Sequence, residues 1–300
     1  MKTYNYHLLD VFSNVPFGGN PLAVFTDARG LSDEQMKSIA RELNLSETTF
    51  VLPARDRSHH SWVRIFTPLA EVTSGGHPTI GTAHALALEE RVRRETARQR
   101  VVFEEGIGPV SVLMEAPMIT VRLPLPEFGP IFEQREAVAA MLGLEPIHLA
   151  AGPIHSIACG VSYLVVPIVD LEAMTRIRFR IDIWDRMLRH SPHPHVLPFS
   201  LETRFPECAA HARMFAPGLG VYEDPATAGA AGPLAAYLIR YGVIKPDPRA
   251  QLIVEQGIEI ERPSFIHVSA EMDGERFASI RVGGQCVVVG KGQIHVNVPD

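Results

Sequence analysis

Residues 64–81 read RIFTPLAEVTSGGHPTIG, and residues 213–229 read RMFAPGLGVYEDPATAG. The two stretches begin with matching segments, residues 64–68 and 213–217, which lie about 150 residues apart. Each then runs through a loop and a small-residue turn into a predicted helix, and the second stretch is one residue shorter than the first. A shared order of elements indicates an internal duplication. The chain is therefore predicted to contain two similar halves.

The small-residue turn of the first copy, centred on Gly76 and His77, has the features of an anion site. A Gly-Gly pair lets the backbone approach a ligand closely. Pro78 fits the first position of a helix, where N–H groups point out of the helix start and the helix dipole attracts negative charge. The turn is predicted to hold part of a carboxylate-sized anion.

The second copy places Asp224 before a proline, as the first copy places His77 before Pro78. If the halves face each other, both helix starts converge on one cleft. Thr227 precedes the second helix start, and the backbone amides of Ala228 and Gly229 then form an anion nest. We therefore expect the two turns to bind one anionic group together.

Composition limits the class of protein. The chain has 300 residues, of which 46% are hydrophobic and 21% charged, and its net charge is −6, so a soluble protein that binds no nucleic acid is expected. The length suits two domains, predicted as residues 1–118 and 119–300, with the last strand able to pack back onto the first lobe. The sequence has neither a signal peptide nor a membrane span, so a cytoplasmic location is expected. Three scattered cysteines are predicted to be reduced thiols.

Local patterns predict strands and three helices. Ser32 and Gln35 form a capping box before the first helix, the second helix follows Pro78, and the third follows Pro233 and ends at Gly242. The dipeptide 273–274, Asp-Gly, indicates a hairpin. Alternating stretches rich in β-branched residues predict strands at residues 49–52, 62–66, 110–113, 119–123, 265–268, 277–282 and 287–289.

An anion site becomes an active site only if an acid or base lies beside it. Glu47 lies at the junction between the first helix and the following strand, where a side chain can project over a sheet edge. His77 and Asp224 occupy equivalent places in the two copies. Taken singly, these residues also fit a solvated loop glutamate, a satisfied helix-start histidine and a helix cap.

Several ordered motifs spread over nearly the whole chain resemble the phenazine-biosynthesis PhzF-like family. They are residues 10–12 (DVF), 17–24 (FGGNPLAV), 45–50 (LSETTF), 64–68 (RIFTP), 76–83 (GHPTIGTA), 223–227 (EDPAT), 231–238 (AGPLAAYL), 256–257 (QG) and 262–264 (RPS).

The resemblance implies an α/β (α+β) fold of two pseudo-symmetric, diaminopimelate-epimerase-like lobes, each a mostly antiparallel sheet around a central helix, with the active site in the cleft between them. It implies a homodimer and an isomerase without cofactor or metal. The implied reaction moves a proton within a small cyclic carboxylic acid such as trans-2,3-dihydro-3-hydroxyanthranilate. Glu47 takes the role of general acid/base, with His77 and Asp224 as polar partners. The implied substrate-binding residues are Asn20, Ser46, Gly76, Thr227, Ala228 and Gly229.

The sequence departs from the family where Ala228-Gly229 replaces a common Gly-Ser, so a hydroxyl that contacts substrate is missing. Two other functions stay open. One is an amino-acid epimerase or racemase that uses Glu47 and Asp224 as a carboxylate pair, because neither turn carries the cysteine of thiol-dependent relatives. The other is a non-catalytic protein that binds small acids.

The histidines at positions 190, 193 and 195 raise a metal hypothesis. The intervening prolines predict a stiff surface loop, and no nearby carboxylate or cysteine completes a site. Adventitious metal binding is therefore the favoured interpretation.

Overall fold

The computed structural model describes residues 1–92 and 98–297. The chain forms two compact units: residues 1–122 with 283–300 make up unit 1, and residues 123–282 make up unit 2. The first division falls four residues after the boundary expected from sequence, and the C-terminal strand belongs to unit 1.

The described part of unit 1 is a mostly antiparallel sheet with two helices. Its elements are β1 (Lys2–Val11), β2 (Asn20–Phe25), α1 (Asp33–Leu43), β3 (Glu47–Leu52), β4 (Ser61–Phe66), β5 (Glu71–Val72), α2 (Gly76–Leu88), β6 (Gln99–Glu105), β7 (Gly108–Glu115), β8 (Met118–Leu123) and β19 (Cys286–Val296). β1 pairs with β19 and β2, β3 runs parallel to β2 and antiparallel to β4, and β6 runs parallel to β4 and antiparallel to β7.

Unit 2 repeats this plan with more helices. Its elements are β9 (Glu127–Ile131), α3 (Arg135–Leu142), β10 (His155–Cys159), β11 (Val161–Pro167), α4 (Leu171–Arg176), α5 (Ile181–Met187), β12 (His195–Ser200), β13 (Ala210–Ala212), β14 (Met214–Ala216), β15 (Val221–Asp224), α6 (Ala228–Arg240), β16 (Arg249–Gln256), β17 (Ser264–Asp273) and β18 (Arg276–Gly284). β12 runs parallel to β11 and antiparallel to β13 and β14, and β16 runs parallel to β13 and antiparallel to β17.

The pairing order agrees with the predicted duplication. In both units an antiparallel strand pair is followed by a helical crossover to a parallel strand. The next part of the chain leads into the F-x-P turn (residues 66–68 and 215–217), and a second parallel strand follows the central helix, which is α2 in unit 1 and α6 in unit 2. Every strand predicted from the sequence lies inside an observed strand, and Gly274 connects β17 to β18 with φ of 60°.

The two copies of the repeat also make equivalent side-chain contacts. Arg64 donates from Nε and Nη2 to the carboxylate of Glu71 at 2.7 and 2.6 Å. Arg213 donates in the same bidentate way to Glu223 at 2.8 and 2.7 Å. Since β5 carries Glu71 and β15 carries Glu223, each pair ties the F-x-P strand to the short strand before the central helix.

The helices follow from their side chains. The capping box of Ser32 and Gln35 forms as predicted, and α1 buries Met36, Ile39 and Ala40 against stacked aromatic rings of unit 1. α2 and α6 are apolar on nearly all sides and are buried along most of their length, as expected for central helices.

Both central helices begin earlier than predicted. α2 starts at Gly76, so Pro78 is its third residue, where a missing N–H still costs no intrahelical bond. α6 starts at Ala228 and contains Pro233, which leaves the carbonyl of Gly229 without its usual helical donor. The extensive burial of α6 outweighs the cost of this missing helical hydrogen bond.

The observed helix starts correct the predicted equivalence of His77 and Asp224. His77 lies inside the first turn of α2, whereas Asp224 ends β15, before the start of α6. Counted from the paired glutamates Glu71 and Glu223, Gly229 is the counterpart of His77. The loop after Phe215 is longer than its counterpart and contains a turn of 3₁₀ helix, which shifts the alignment.

His211 in β13 is a buried histidine held between two carboxylates. Its Nδ1 lies 2.7 Å from Glu255 and its Nε2 lies 2.8 Å from Glu259. Burial lowers its pKa, but the two carboxylates outweigh burial and raise the pKa of His211 to about 9. The ring is therefore charged at neutral pH.

This pair of contacts predicts a pH dependence of stability. Because the folded-state pKa of His211 is raised from 6.5, the contribution is fully present below pH 6.5 and is lost as the pH rises through about 9. Urea unfolding of the wild type should show this loss, and His211→Gln should not. An equal loss in both proteins would contradict the assignment.

All three cysteines are free, as predicted. Among the described residues, no helix combines the length and the apolar character needed to span a bilayer.

Candidate active site

Three element starts meet in unit 1. Asn20 is the first residue of β2, Glu47 is the first residue of β3, and α2 begins at Gly76. Since β2 and β3 run parallel, with Leu22 opposite Glu47, their starts lie at the same edge of the sheet. The sequence-predicted residues Asn20, Glu47 and His77 are therefore brought together.

His77 connects the other two side chains. Its Nε2 lies 3.2 Å from Glu47 Oε2, and its Nδ1 lies 3.5 Å from Asn20 Nδ2. An amide nitrogen can only donate, so His77 Nδ1 is the acceptor and Nε2 carries the ring proton. The contact between Nε2 and Glu47 Oε2 is a close approach that lacks hydrogen-bond geometry. Burial lowers the pKa of His77 to about 3, so the ring is neutral at physiological pH.

Burial differs between the members of this trio. Asn20 and His77 are buried, whereas the side chain of Glu47 keeps 20% of its surface exposed. A fixed, dry imidazole beside a partly accessible carboxylate is the arrangement of a positioned base. We call Asn20, Glu47 and His77 the base cluster.

The loop before β2 places Asn20. Gly19 has a φ of +67°, and a Cβ at this residue would lie 2.4 Å from the carbonyl oxygen of Val11. Only glycine fits this close approach. Asp10 accepts the N–H of Phe17 at 2.6 Å and fixes the other end of the loop.

In unit 2 the predicted residues form a hydrogen-bonded turn. Thr227 Oγ1 donates to Asp224 Oδ2 at 2.5 Å. Gln256 donates from Nε2 to the carbonyl of Asp224 at 2.7 Å and to Thr227 Oγ1 at 3.1 Å, and it accepts the N–H of Thr227 at 3.2 Å. Gln256 thus holds the turn before α6.

The remaining predicted residues lie beside these clusters. Ser46 precedes Glu47, and Gly76 opens α2. Ala228 and Gly229 open α6, and a Cβ added to Gly229 would lie 2.9 Å from the hydroxyl of Tyr163. A serine side chain at residue 229 would therefore compete with Tyr163 for space.

Sequence reasoning missed Glu105, the last residue of β6. Thr79, in the first turn of α2, lies with Oγ1 2.5 Å from Glu105 Oε1. An acidic residue before a Gly-x-Gly turn has the pattern of an exposed strand end, so no local signal marks it. Yet Glu105 is only 6% exposed.

The histidine-rich segment does not form the predicted surface loop throughout. His195 is a buried residue of β12, and His193 Nδ1 lies 2.7 Å from the hydroxyl of Ser162. Within residues 1–92 and 98–297, no group of three or more His, Cys, Asp or Glu side chains could hold a metal ion.

Comparison with known proteins gives one family. The family described as phenazine biosynthesis-like protein matches residues 9–292. An uncharacterized isomerase of Mesorhizobium japonicum is 39% identical over 99% of this chain and 100% of its own length. Trans-2,3-dihydro-3-hydroxyanthranilate isomerase of Pseudomonas fluorescens is 34% identical over 97% of this chain and 99% of its own.

A solved structure agrees with these sequence matches. The phenazine biosynthesis protein of the PhzF family from Bacillus anthracis superimposes with a TM-score of 0.92 at 30% identity, covering 99% of this chain and 100% of that one. The predicted fold class, two similar sheet-and-helix halves of the epimerase-like type, is confirmed.

Proposed function

The chain belongs to the phenazine biosynthesis-like protein family and is an isomerase, and we propose that it moves a proton within a small cyclic carboxylic acid, with Glu47 as the base. The observation that carries the proposal is the 3.2 Å contact between Glu47 Oε2 and His77 Nε2. Trans-2,3-dihydro-3-hydroxyanthranilate is the first substrate to test, because a relative 34% identical is named for its isomerisation.

The electrostatics of the base cluster support this role. A charged histidine would hold the carboxylate in an ion pair and weaken it as a base. His77 is neutral, because burial lowers its pKa to about 3, so it lies beside the carboxylate without neutralising it. Glu47 keeps enough exposure for a ring carbon to reach it.

The proton balance needs no other reagent. The Glu47 carboxylate takes a proton from one ring carbon, and the electron pair of the broken C–H bond enters the conjugated system and the substrate carboxylate. The resulting Glu47 carboxylic acid, whose proton exchanges with solvent, returns a proton to another ring carbon, which moves a double bond. The backbone N–H groups of Gly76 and His77 begin α2, have no intrahelical partner, and favour negative charge.

The turn of unit 2 is the second element of the proposal. Asp224 and Thr227, with the backbone at Ala228 and Gly229, contribute to substrate binding, supported by the hydrogen bonds that fix this turn. A homodimer and a reaction without cofactor stay predictions.

The test is proton exchange followed by NMR in heavy water. Incubation with trans-2,3-dihydro-3-hydroxyanthranilate should give the isomer with deuterium at the carbon that receives the proton. A panel of cyclic carboxylates and amino acids extends the test. Deuterium at an inverted stereocentre of an amino acid would instead indicate an epimerase, and binding without any exchange would indicate a non-catalytic acid-binding protein.

His77 should tune the rate without being the base. His77→Gln keeps a donor beside Glu47 but changes its position, so we expect kcat/KM to fall by about 10- to 100-fold, mostly in kcat. His7→Gln is the matched control, since His7 Nε2 also contacts a glutamate, Glu89, at 2.7 Å outside the base cluster. Equal effects of the two changes on kcat would refute the role of His77.

A further inference from the structure

The last residues of β6 and β16 are structural counterparts. Trp62 of β4 pairs with Glu104, so Glu105 lies next to the residue before Arg64. Ala212 of β13 pairs with Gln256, and Ala212 is the residue before Arg213. Glu105 and Gln256 thus occupy the same register relative to the two repeat arginines.

The residues one position earlier support this alignment. Glu104 accepts the backbone N–H groups of Arg55 and Asp56 and lies 3.1 Å from His59 Nδ1. Glu255 accepts the N–H groups of Arg204 and Phe205 and lies 2.7 Å from a ring nitrogen of His211. The carboxylates of Glu104 and Glu255 thus each accept two backbone N–H groups of a loop and contact a histidine.

Glu105 and Gln256 also do the same work, each at the first turn of a central helix. Gln256 is a neutral amide that donates to Thr227 Oγ1 and accepts the N–H of Thr227. Glu105 contacts Thr79 Oγ1 and the N–H of Gly75, the residue that caps α2. Only the protonated form of a glutamate can both donate and accept as glutamine does.

The number of protons available at the Thr79 hydroxyl also favours a protonated Glu105. Thr79 Oγ1 lies 2.6 Å from the carbonyl oxygen of Gly75 and 2.5 Å from Glu105 Oε1. The hydroxyl has one proton, so Thr79 can donate to only one of these two oxygens at a time. Both contacts are hydrogen bonds at once only if Glu105 is protonated and donates to Thr79 Oγ1 while Thr79 donates to Gly75.

The surroundings of Glu105 favour the neutral form. The residue is 6% exposed, and its Oε2 has no hydrogen-bond partner. Burial raises the pKa of Glu105 to about 7, although the hydrogen bonds that Thr79 and Gly75 can donate to the ionised carboxylate act in the opposite direction. The carboxyl therefore changes its state near neutral pH.

No charged side chain of the described neighbouring elements accounts for the raised pKa of Glu105. The titratable groups on those elements are His77 and His84 on α2, Arg64 on β4, Glu71 on β5 and Glu115 on β7. None of them contributes to the pKa of Glu105, which burial, Thr79 and Gly75 set. Arg64 is engaged with Glu71 and Asp33.

We propose that Glu105 is a positioning residue that, as a neutral carboxylic acid, holds the first turn of α2 and thereby His77. Loss of its proton forces Thr79 to give up one of two hydrogen bonds. It also puts a full negative charge beside the N–H groups of the helix start. Anion binding at this turn is therefore favoured when Glu105 is protonated and weakened when it is ionised.

The effect on catalysis rests on the proposed function, in which the turn binds a substrate carboxylate. In the wild type KM should rise about tenfold as the pH increases from 6 to 8.5, with kcat changing less. Glu105→Gln should match the wild type at pH 6 within about threefold and should show no such rise. Glu104→Gln, which removes a neighbouring carboxylate, should keep the wild-type profile.

A second measurement needs no substrate. Because the folded-state pKa of Glu105 lies above its ordinary 4.5, wild-type stability is lost as the pH rises between about 4.5 and 7. The stability of Glu105→Gln relative to wild type should therefore rise over this range, by on the order of a hundredfold in the unfolding equilibrium constant. Carbon-13 titration of glutamate carboxyls in the wild type should show one group that titrates near pH 7.

The two measurements separate the two ideas. If no protein turns over the substrate but the relative stability still changes with pH as described, the proposed function fails and the protonated Glu105 stands. A flat relative stability, or a KM profile of Glu105→Gln that follows the wild type, overturns the assignment of Glu105.

Discussion

Replacing Glu47 with glutamine should lower kcat by about 10³- to 10⁴-fold and leave the fold intact, because an amide cannot take a proton from carbon. Glu47 starts β3 and keeps 20% of its side-chain surface exposed, so the core does not depend on its charge. KM should change only a few-fold. The measurement is the rate of deuterium incorporation into trans-2,3-dihydro-3-hydroxyanthranilate, beside thermal unfolding of both proteins.

The chain supplies a matched control for this change. Glu89 also contacts a buried histidine, His7, but lies at the end of α2, away from the base cluster. Glu89→Gln should leave turnover within about twofold of the wild type. An active Glu47→Gln protein would remove Glu47 as the base, whatever the control shows.

The largest loss of stability is expected from Arg213→Ala, at about 3–5 kcal/mol. The side chains of Arg213 and Glu223 are 7% and 5% exposed, and Arg213 Nη1 also donates to the carbonyl of Met174 at 2.8 Å. Removing the guanidinium leaves the Glu223 carboxylate buried without its partner. Urea unfolding measures the change.

Two controls define the cause. Arg249→Ala breaks an exposed pair with Glu271 in the same unit and should cost no more than about 1 kcal/mol. Changing Arg213 and Glu223 together to methionine should restore much of the loss, because no buried charge is left unpaired. A cost below 1 kcal/mol for Arg213→Ala would show that the pair does not stabilise unit 2.

The sequence predicted more of the fold than of the site. The repeat of Arg64 and Arg213 predicted the duplication, and the structure adds that both arginines bind a glutamate in the same bidentate way. The strands predicted from alternating hydrophobic residues also agree with the observed strands, because each sheet has a buried face. The helix starts were placed too late, since Pro78 and Pro233 are strong local signals that burial overrides.

Of the site, local motifs in the sequence by itself marked Glu47 and His77 as candidates, and the resemblance to the PhzF-like family added Asn20. Only the tertiary structure decided that His77 is neutral, that Asp224 is not its counterpart, and that Glu105 lies under the turn. Protonation depends on burial, and burial depends on strand register between segments far apart in the chain. The loops that separate those segments differ in length between the two copies, so no spacing in the sequence reveals that Glu105 and Gln256 are counterparts.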